Sequence, residues 1–495
     1  MLHIIIALVI VFLFYDFYWK RRNLPPGPLP LPLVGNLLTI MSHEPGYEAF
    51  AKWHKKFGPI YTYWIGPLPV VVVSDHKTMK DTFVKDGDAY AAKFRIEEVA
   101  KVYRGGNYGI VESNGEMWKE HRRFALHVLK DLGLNKNVME EKVLMEVDAM
   151  TSQLMAKKGS EIEIQDVFDV CVGSVINQLL FGYRFDEEYL EEFRELKTMI
   201  SRQMAEFARP SSAALFLFPR IAPRLPYFSG LWKKLFSYRD AFHAFFNRQI
   251  DAHEKAIDYE SDQSSDYVEA YLKEKQRRED GGDFESFCRI QLLNMCFDLW
   301  LAGMETTSNT LSWGVVYLLN HHDVQVKVHE ELDREIGSGR QIRMADKNNL
   351  PYTCAAINEI QRTTNLLPLN LLHETTRDVQ IGEFHLPEKT TVVAQISTVL
   401  YDEEIFPDPY AFKPSRFIDE NGKLKKVDEL IPFSIGKRQC LGEGLAKMEL
   451  FLFIANLLNR FELFCVDPDE PPAMTKKFGT TVQALPYNCL AKARY

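Results

Sequence analysis

The sequence predicts a mainly α-helical protein with a small β region, folded as a single globular domain. Apolar segments with helical periodicity, separated by loops marked by Gly, Pro and charged residues, run from about residue 115 onwards. Strand signals are confined to two regions. Residues 60–65 and 70–73 predict two strands of a hairpin that turns at Gly66-Pro67, and further strands are predicted in the last quarter of the chain. No linker divides the remainder, so a chain of 495 residues, 46% of them hydrophobic, is expected to share one core.

The first residues form an almost continuous apolar stretch. Residues 2–19 would span about 27 Å as a helix, enough for a thin bilayer. Lys20, Arg21 and Arg22 follow and predict a cytoplasmic side for the chain that comes next. A cleaved signal peptide is the alternative, but the positive charges follow the apolar run and no small-residue cleavage site is present. We therefore expect three parts: a transmembrane anchor (1–19), a basic and proline-rich hinge (20–36) and a globular domain (37–495).

Composition excludes several classes of protein. A net charge of −9 provides no positive field for nucleic acid. Seven cysteines without a Cys-x-x-Cys pair predict neither a disulfide framework nor a zinc site. The sequence contains neither a Gly-x-Gly-x-x-Gly nor a Walker motif, so the chain is not expected to bind a dinucleotide or a flavin itself.

The loop at residues 433–442 has the features of a loop that presents a cysteine to a metal. Gly436 allows a tight turn, and Cys440 precedes an apolar helical segment whose free N–H groups and dipole favour a thiolate. Gly442 leaves room for a flat group, and Arg438 can reach an anionic edge of that group. A lone cysteine is most often a small buried hydrophobe. The spacing Phe-x-x-Gly-x-Arg-x-Cys-x-Gly, however, has about one chance in ten thousand of arising in a chain of average composition.

This loop resembles the haem-binding signature of the cytochrome P450 family, and the chain is most like the animal microsomal members that handle drugs and lipids. The resemblance covers nearly all of residues 24–490 and implies the cytochrome P450 fold. By this resemblance Cys440 is the axial thiolate ligand of the iron of haem b. It also implies that Arg438, Gly436 and Gly442 contact the haem.

Other segments match the residues that hold the haem carboxylates in this family. Trp118 and Arg122 lie four residues apart on one predicted helix face and resemble the Trp-x-x-x-Arg pair that holds a propionate. Without the family pattern, a buried Trp on a surface helix is the simpler interpretation. His373 matches a further propionate partner, and Lys93 stands where many relatives carry a propionate-binding Arg.

A long apolar helix is predicted within residues 284–319. Gly and a Thr pair in its middle weaken a helix, so a loose or kinked core helix is the plain interpretation. The segment also resembles the oxygen-activating motif of the family. By that resemblance Thr306 supplies a hydroxyl and Glu305 an acid to a proton relay, while Ala302 leaves space above the iron.

The resemblance also implies a structural cluster and a substrate pocket. Glu359, Arg362 and Arg416 resemble the buried Glu-Arg-Arg cluster of the family, although most such helix pairs are solvated surface pairs. The region 207–228, rich in Phe and Pro, is expected to cover the pocket and touch the membrane. The residues expected to line the pocket are Tyr108, Ile110, Phe297, Leu366, Leu367, Phe478 and Thr480.

These motifs predict a membrane-bound haem-thiolate monooxygenase that hydroxylates or epoxidises small hydrophobic substrates such as lipids, steroids or xenobiotics. Electrons would come from NADPH through NADPH–cytochrome reductase, with cytochrome b5 as a second partner, at the endoplasmic reticulum membrane with the catalytic domain in the cytosol. The alternatives are a haem-thiolate isomerase or dehydratase and a non-catalytic haem- or lipid-binding membrane protein. Thr306 and the complete relay motif argue against both.

A basic surface for the electron donor is also expected. Cations near Trp118 and Cys440 should gather on the thiolate side of the haem and bind an acidic partner. For any one of them, solvation of an exposed face is an equally good interpretation. The five cations are Lys119, Arg123, Lys130, Lys437 and Lys447.

Overall fold

The structure, a computed structural model, describes nearly all of the globular part of the chain. Most of the predicted anchor and the predicted pocket residue Phe478 lie outside the described residues. The described residues are 18–133, 137–157, 159–207, 209–477 and 479–495, together with residues 3, 4, 11, 12, 14 and 15.

The described chain is mainly helical, which confirms the predicted fold class. In chain order the helices are α1 (Leu37–Ser42), α2 (Tyr47–Phe57), α3 (His76–Met79), α4 (Glu97–Tyr103), α5 (Gly115–Asp131), α6 (Asn137–Ala156), α7 (Ile164–Phe181), α8 (Leu190–Phe207), α9 (Pro210–Leu217), α10 (Pro226–Ala256), α11 (Tyr267–Asp280), α12 (Arg289–Asn320), α13 (His322–Glu335), α14 (Pro351–Thr364), α15 (Ile396–Leu400) and α16 (Glu443–Arg460). Shorter helical turns cover Trp19–Arg21, Lys80–Lys85, Ala222–Arg224, Met344–Asn349 and Pro414–Phe417.

The strands join segments from both ends of the chain, as the sequence predicts. The strands are β1 (Ile60–Ile65), β2 (Leu68–Val73), β3 (Ala92–Lys93), β4 (His373–Glu374), β5 (Val379–Ile381), β6 (Phe384–Leu386), β7 (Thr391–Ala394), β8 (Phe461–Cys465) and β9 (Cys489–Ala493). The largest sheet has the order β1-β2-β7-β4-β3, and β5-β6 and β8-β9 form two-stranded sheets. β1 and β2 form the predicted hairpin, in which Gly66 adopts a φ of 56° that a glycine accommodates readily.

Helix α12 lies at the centre of the core and packs against α7, α10, α14 and α16. It has 32 residues, as its apolar pattern predicts, and most of its side chains are buried. The helix continues without a break through its Gly and Thr residues, and the hydroxyl of Thr306 donates to the carbonyl of Ala302 at 2.7 Å.

A buried ionic cluster fixes the chain that leads to the cysteine loop. Glu359 accepts hydrogen bonds from Arg362 at 2.7 Å and from Arg416 at 3.0 Å. The side chains of Glu359 and Arg362 are fully buried. Arg362 also donates to the carbonyls of Leu400 and Pro409, both at 2.8 Å. The three predicted residues thus lie together, and their buried charges are hydrogen-bonded on all sides.

One helix in the described part of the chain, α7, is long and apolar enough to cross a membrane. The protein buries 83% of it, as expected for a core helix. The predicted N-terminal anchor falls mostly on residues that the structure does not describe.

Candidate active site

The cysteine loop is held by its own backbone and by its contact with the turn that follows α3. The amide of Cys440 donates to the carbonyl of Phe433 at 3.0 Å, and α16 begins at Glu443, two residues later than the sequence predicts. Gly436 has a φ of 83°, and a Cβ there would lie 2.0 Å from the carbonyl oxygen of Phe83. Gly436 therefore shapes the turn and does not line the cavity, so its contact with the cofactor stays a prediction.

The sulfur of Cys440 faces a large cavity, which is why this side chain is accessible. Desolvation by the surrounding protein raises the pKa of the thiol, although the amides of Gly442 and Glu443 donate to the sulfur and lower it. The two N–H groups act in the direction that the sequence predicts, and burial of the sulfur acts against them. A metal bound to the sulfur would displace the proton outright.

The cavity has a volume of about 720 Å³ and is mainly apolar. Cys440 and Gly442 line it together with Ala302 and Thr306 of α12. A Cβ placed on Gly442 would meet no atom within 4 Å, so the backbone there leaves the predicted room for a flat group. Cys440 and the segment that resembles the oxygen-activating motif thus share one cavity.

The predicted pocket residues divide between those that line this cavity and one that does not. Tyr108 is not among the residues that line it, so its role in the pocket stays a prediction. A loop residue can project to either side, and the sequence pattern does not fix which. The residues that line the cavity as predicted are Ile110, Phe297, Leu366, Leu367 and Thr480.

Five predicted haem partners converge at the edge of the cavity. The ammonium of Lys93 lies 2.7 Å from Nε2 of His373. The guanidinium of Arg438 stacks on the Trp118 ring, 3.8 Å from its centroid. Arg122 donates to the loop carbonyl of Gln439 at 2.6 Å. The fold therefore brings together all five side chains that the family resemblance assigns to the haem carboxylates.

These buried cations have no carboxylate partner among the described residues, although a buried charge is costly without one. In the described part of the chain, no carboxylate pairs with Lys93, Arg122 or Arg438, and the indole N–H of Trp118 has no acceptor. Desolvation lowers the pKa of Lys93 well below its usual value and, with repulsion from Arg122, lowers the pKa of Arg438 to about 9. A flat group with two carboxylates, such as haem, fits this site because it supplies the missing acceptors.

Glu305 is buried and held by three side chains. Its carboxylate accepts hydrogen bonds from Lys197 at 3.1 Å, Gln483 at 2.6 Å and Asn309 at 2.9 Å. Burial alone would raise the pKa of Glu305, but these partners hold it below its ordinary value. Glu305 is therefore a fixed carboxylate one residue away from the hydroxyl of Thr306.

Lys197 extends this arrangement to two further helices, and the sequence analysis did not identify it. From α8 the ammonium reaches Glu305 on α12 and, at 3.0 Å, Asp169 on α7. Asp169 also accepts hydrogen bonds from Ser308 and, at 2.8 Å, from Gln165. A lysine on an amphipathic helix resembles a surface residue in sequence, so no local signal marks Lys197.

A second unpredicted ion pair shapes the cavity wall. Arg104 donates to Asp298 of α12 at 2.5 Å, and both side chains are buried and line the cavity. The other carboxylate oxygen of Asp298 accepts the amides of Ile110 at 2.8 Å and Val111 at 3.0 Å. Asp298 therefore fixes the loop that places Ile110 in the cavity.

A helical fold that presents a cysteine to an apolar cavity, beside buried cations without a carboxylate partner among the described residues, defines a haem-thiolate class of protein. The family model "Cytochrome P450" matches residues 25–491. The chain is 35% identical to cytochrome P450 2C5 of Oryctolagus cuniculus over 90% of each chain. It is 35% identical to cytochrome P450 2G1 of Rattus norvegicus over 91% of this chain and 90% of that protein. With cytochrome P450 2A13 of Homo sapiens, the identity is 34% over 90% of this chain and 88% of that protein.

The chain therefore belongs to the cytochrome P450 family. It is a monooxygenase whose cofactor is haem held through a cysteine thiolate. The structure adds which of its residues surround the cavity where such a cofactor fits.

Proposed function

We propose that this protein hydroxylates or epoxidises small hydrophobic molecules, with electrons that a reductase takes from NADPH. The observation that carries the proposal is the shared cavity, in which Cys440, the unpaired cations and the Thr306 hydroxyl meet an apolar wall. A non-catalytic haem or lipid binder would have no need of the Thr306 hydroxyl and the Glu305 carboxylate. A peroxide isomerase would not need a proton relay beside the cysteine.

We assign the residues around the cofactor from their contacts. Cys440 would ligate the iron, and Lys93, Arg122, Arg438, His373 and Trp118 would bind the two carboxylates. Haem, when bound, supplies the activation of dioxygen. The haem carboxylates would pair with these buried cations, so binding of the cofactor should stabilise the fold.

The proton relay would use two neighbouring residues of α12. The hydroxyl of Thr306 donates to the carbonyl of Ala302 at 2.7 Å, which leaves its lone pairs free to accept a hydrogen bond from the cavity side. Glu305 is held as a carboxylate by Lys197, which is 18% exposed at its side chain and offers a connection towards solvent. Protons would therefore reach the cavity from the side of α8.

The substrate class follows from the lining of the cavity and from the surface beside it. Phe207 and Phe216 line the cavity from the segment that the sequence predicts to be its cover. In the same region Ile221, Leu225 and Tyr227 are exposed, at 64%, 48% and 65%. An exposed apolar surface beside an apolar cavity favours contact with a membrane and entry of lipid-soluble substrates. We also propose that the protein lies at the endoplasmic reticulum membrane, with its catalytic domain in the cytosol.

The electron donor would bind the basic surface that the sequence predicts, with cytochrome b5 as a second partner. Lys119 pairs with Glu116 at 2.7 Å, so its charge is partly compensated within the chain. Arg123 and Lys130 are exposed on the same helix, α5, as the cavity residue Arg122. The two other cations are also paired, Lys437 with Asp88 and Lys447 with Glu443.

Reconstitution tests this proposal. The purified protein, NADPH–cytochrome reductase and phospholipid are mixed, and NADPH consumption and oxidised products are measured for a panel of fatty acids, steroids and aromatic xenobiotics. We expect NADPH-dependent insertion of one oxygen atom into apolar members of the panel. Rearrangement of organic peroxides without NADPH, and no oxidation of the panel with it, would establish the isomerase alternative instead.

A further inference from the structure

Lysine 476 caps the carboxyl end of helix α14 from more than a hundred residues away in sequence. Its ammonium donates to the last helix carbonyls, that of Thr364 at 2.9 Å and that of Thr363, and to the hydroxyl of Tyr401 at 2.8 Å. The final carbonyls of a helix have no partner within the helix and form its negative end. A cation there is favourable, and here it comes from the C-terminal segment.

Two tyrosines complete this arrangement, which we call the α14 cap: Tyr47, Tyr401 and Lys476. The hydroxyl of Tyr401 donates to the carbonyl of Thr363 at 2.7 Å, and that of Tyr47 donates to the carbonyl of Asn365. The rings of Tyr47 and Tyr401 also lie 5.4 Å and 5.6 Å from the ammonium of Lys476, within the range of cation–π contacts. Three distant segments therefore meet at one helix end.

The charge of Lys476 depends on these neutral groups. Among the described residues, no carboxylate pairs with it, and burial together with the charge of Arg362 lowers the pKa of its ammonium well below the usual value. Carbonyls, a hydroxyl and aromatic faces favour the ammonium form, while burial and the charge of Arg362 act against it. A neutral side chain at this position would leave the carbonyl of Thr364 without its ammonium donor.

The α14 cap stands directly before two parts of the cavity wall. Leu366 and Leu367 follow α14 and line the cavity, and Thr480 and Thr481, shortly after Lys476, line it as well. The two segments are also joined to each other, because the amide of Val482 donates to the carbonyl of Leu366 at 2.9 Å. The position of Lys476 relative to α14 therefore sets the distance between residues 366–367 and residues 480–481 in the cavity wall.

We propose that Lys476 is a specificity-determining positioning residue, which fixes the cavity wall of residues 366–367 and 480–481 through the α14 cap. This inference rests on the proposed haem site and deepens it. Lys476 does not line the cavity and is not a catalytic residue. Its loss should change which bulky ligands fit beside the iron and leave the iron site intact.

Binding of two azoles to the haem protein tests this role without turnover. Imidazole and 4-phenylimidazole both ligate haem iron, but only the second extends a ring towards the cavity wall, and both are followed by the shift of the Soret band. In Lys476→Met we expect the dissociation constant of 4-phenylimidazole to rise about fivefold, the scale of losing one modest interaction. The dissociation constant of imidazole should stay unchanged.

Lysine 477 provides a matched control one residue away. It is 59% exposed at its side chain and forms a surface ion pair with Glu44 at 3.4 Å, so Lys477→Met should bind both azoles like the wild type. Equal weakening of both azoles in Lys476→Met would show damage to the haem site and overturn the proposal. Unchanged binding of 4-phenylimidazole in that variant would also overturn it.

A milder variant covers the case in which Lys476→Met does not fold. Tyr401→Phe keeps the ring and removes the hydroxyl that joins Lys476 to the carbonyl of Thr363. We expect the same selective weakening of 4-phenylimidazole at a smaller size, and selectivity like that of the wild type would count against the α14 cap. Imidazole binding by the wild type reports the haem site itself, so the outcome does not depend on which substrates are oxidised.

Discussion

Two neighbouring residues of α12 differ in how the fold holds them. The hydroxyl of Thr306 makes one bond within its own helix and faces the cavity. The carboxylate of Glu305 is buried and bound by side chains from α8, from α12 and from the C-terminal segment. Thr306 can therefore be changed with little effect on packing, whereas Glu305 cannot.

Replacement of Thr306 should separate proton delivery from binding. We expect Thr306→Ala to keep its haem and its affinity for substrate, while the product formed per NADPH falls by about tenfold or more and peroxide is released. The measurement is the ratio of product to NADPH consumed, together with peroxide. Thr306→Ser keeps the hydroxyl and should restore most of the coupling. The same ratio in wild type and Thr306→Ala across several substrates would make Thr306 a packing residue.

At the scale of elements, Lys197 joins α8 to α12 and α7. Its removal would leave two buried carboxylates, Glu305 and Asp169, without a cation. We expect Lys197→Met to lower the free energy of unfolding by about 3 kcal/mol, the scale for breaking a buried ion pair. Addition of Glu305→Gln should recover part of the loss, because it removes one unpaired charge. Denaturant titration followed by circular dichroism measures both.

A surface lysine gives the comparison for Lys197. Lys52 is 62% exposed at its side chain and pairs with Glu48 at 3.4 Å on α2, so Lys52→Met should change stability by less than about 1 kcal/mol. Losses of equal size in Lys197→Met and Lys52→Met would mean that the contacts of Lys197 contribute no more than a surface pair.

The elements also show which parts of the fold the sequence predicts. The apolar period of α12 and the turn at Gly66 are local signals, and both elements form where predicted. Lys197 and Gln483 bind Glu305 from 108 and 178 residues away, so no local pattern reveals them. Tyr108 lies outside the cavity lining for a related reason, since loop packing and not periodicity decides where its side chain lies.

At the scale of the whole molecule, the fold assembles the haem site from distant parts of the chain. The five-stranded sheet pairs Lys93 of β3 with His373 of β4, while α5 and the cysteine loop bring Arg122 and Arg438. The family pattern identifies each of these residues, and the structure shows that they share one cavity. The raised pKa of the Cys440 thiol, by contrast, depends on how tightly the whole chain packs around it.

Reversal of charge on α5 should weaken the docking of the electron donor. We expect Lys119→Glu with Arg123→Glu to slow reductase-supported turnover several-fold, and raised ionic strength to slow the wild type similarly. Peroxide-supported turnover should be spared, because it needs no partner. Lys255→Glu, an exposed lysine in the last turn of α10, serves as the control and should behave like the wild type. Equal loss in both assays would instead indicate damage to the haem site.

The central claim, that Cys440 holds haem through its thiolate, is tested most directly by the spectrum of the dithionite-reduced, CO-bound protein. We predict a thiolate-type Soret band for the wild type and for Cys465→Ala, in which the changed cysteine lies outside the cavity. Cys440→Ala should lose this band completely. A Cys440→Ala protein that keeps the thiolate-type band would contradict the account and make another cysteine the ligand.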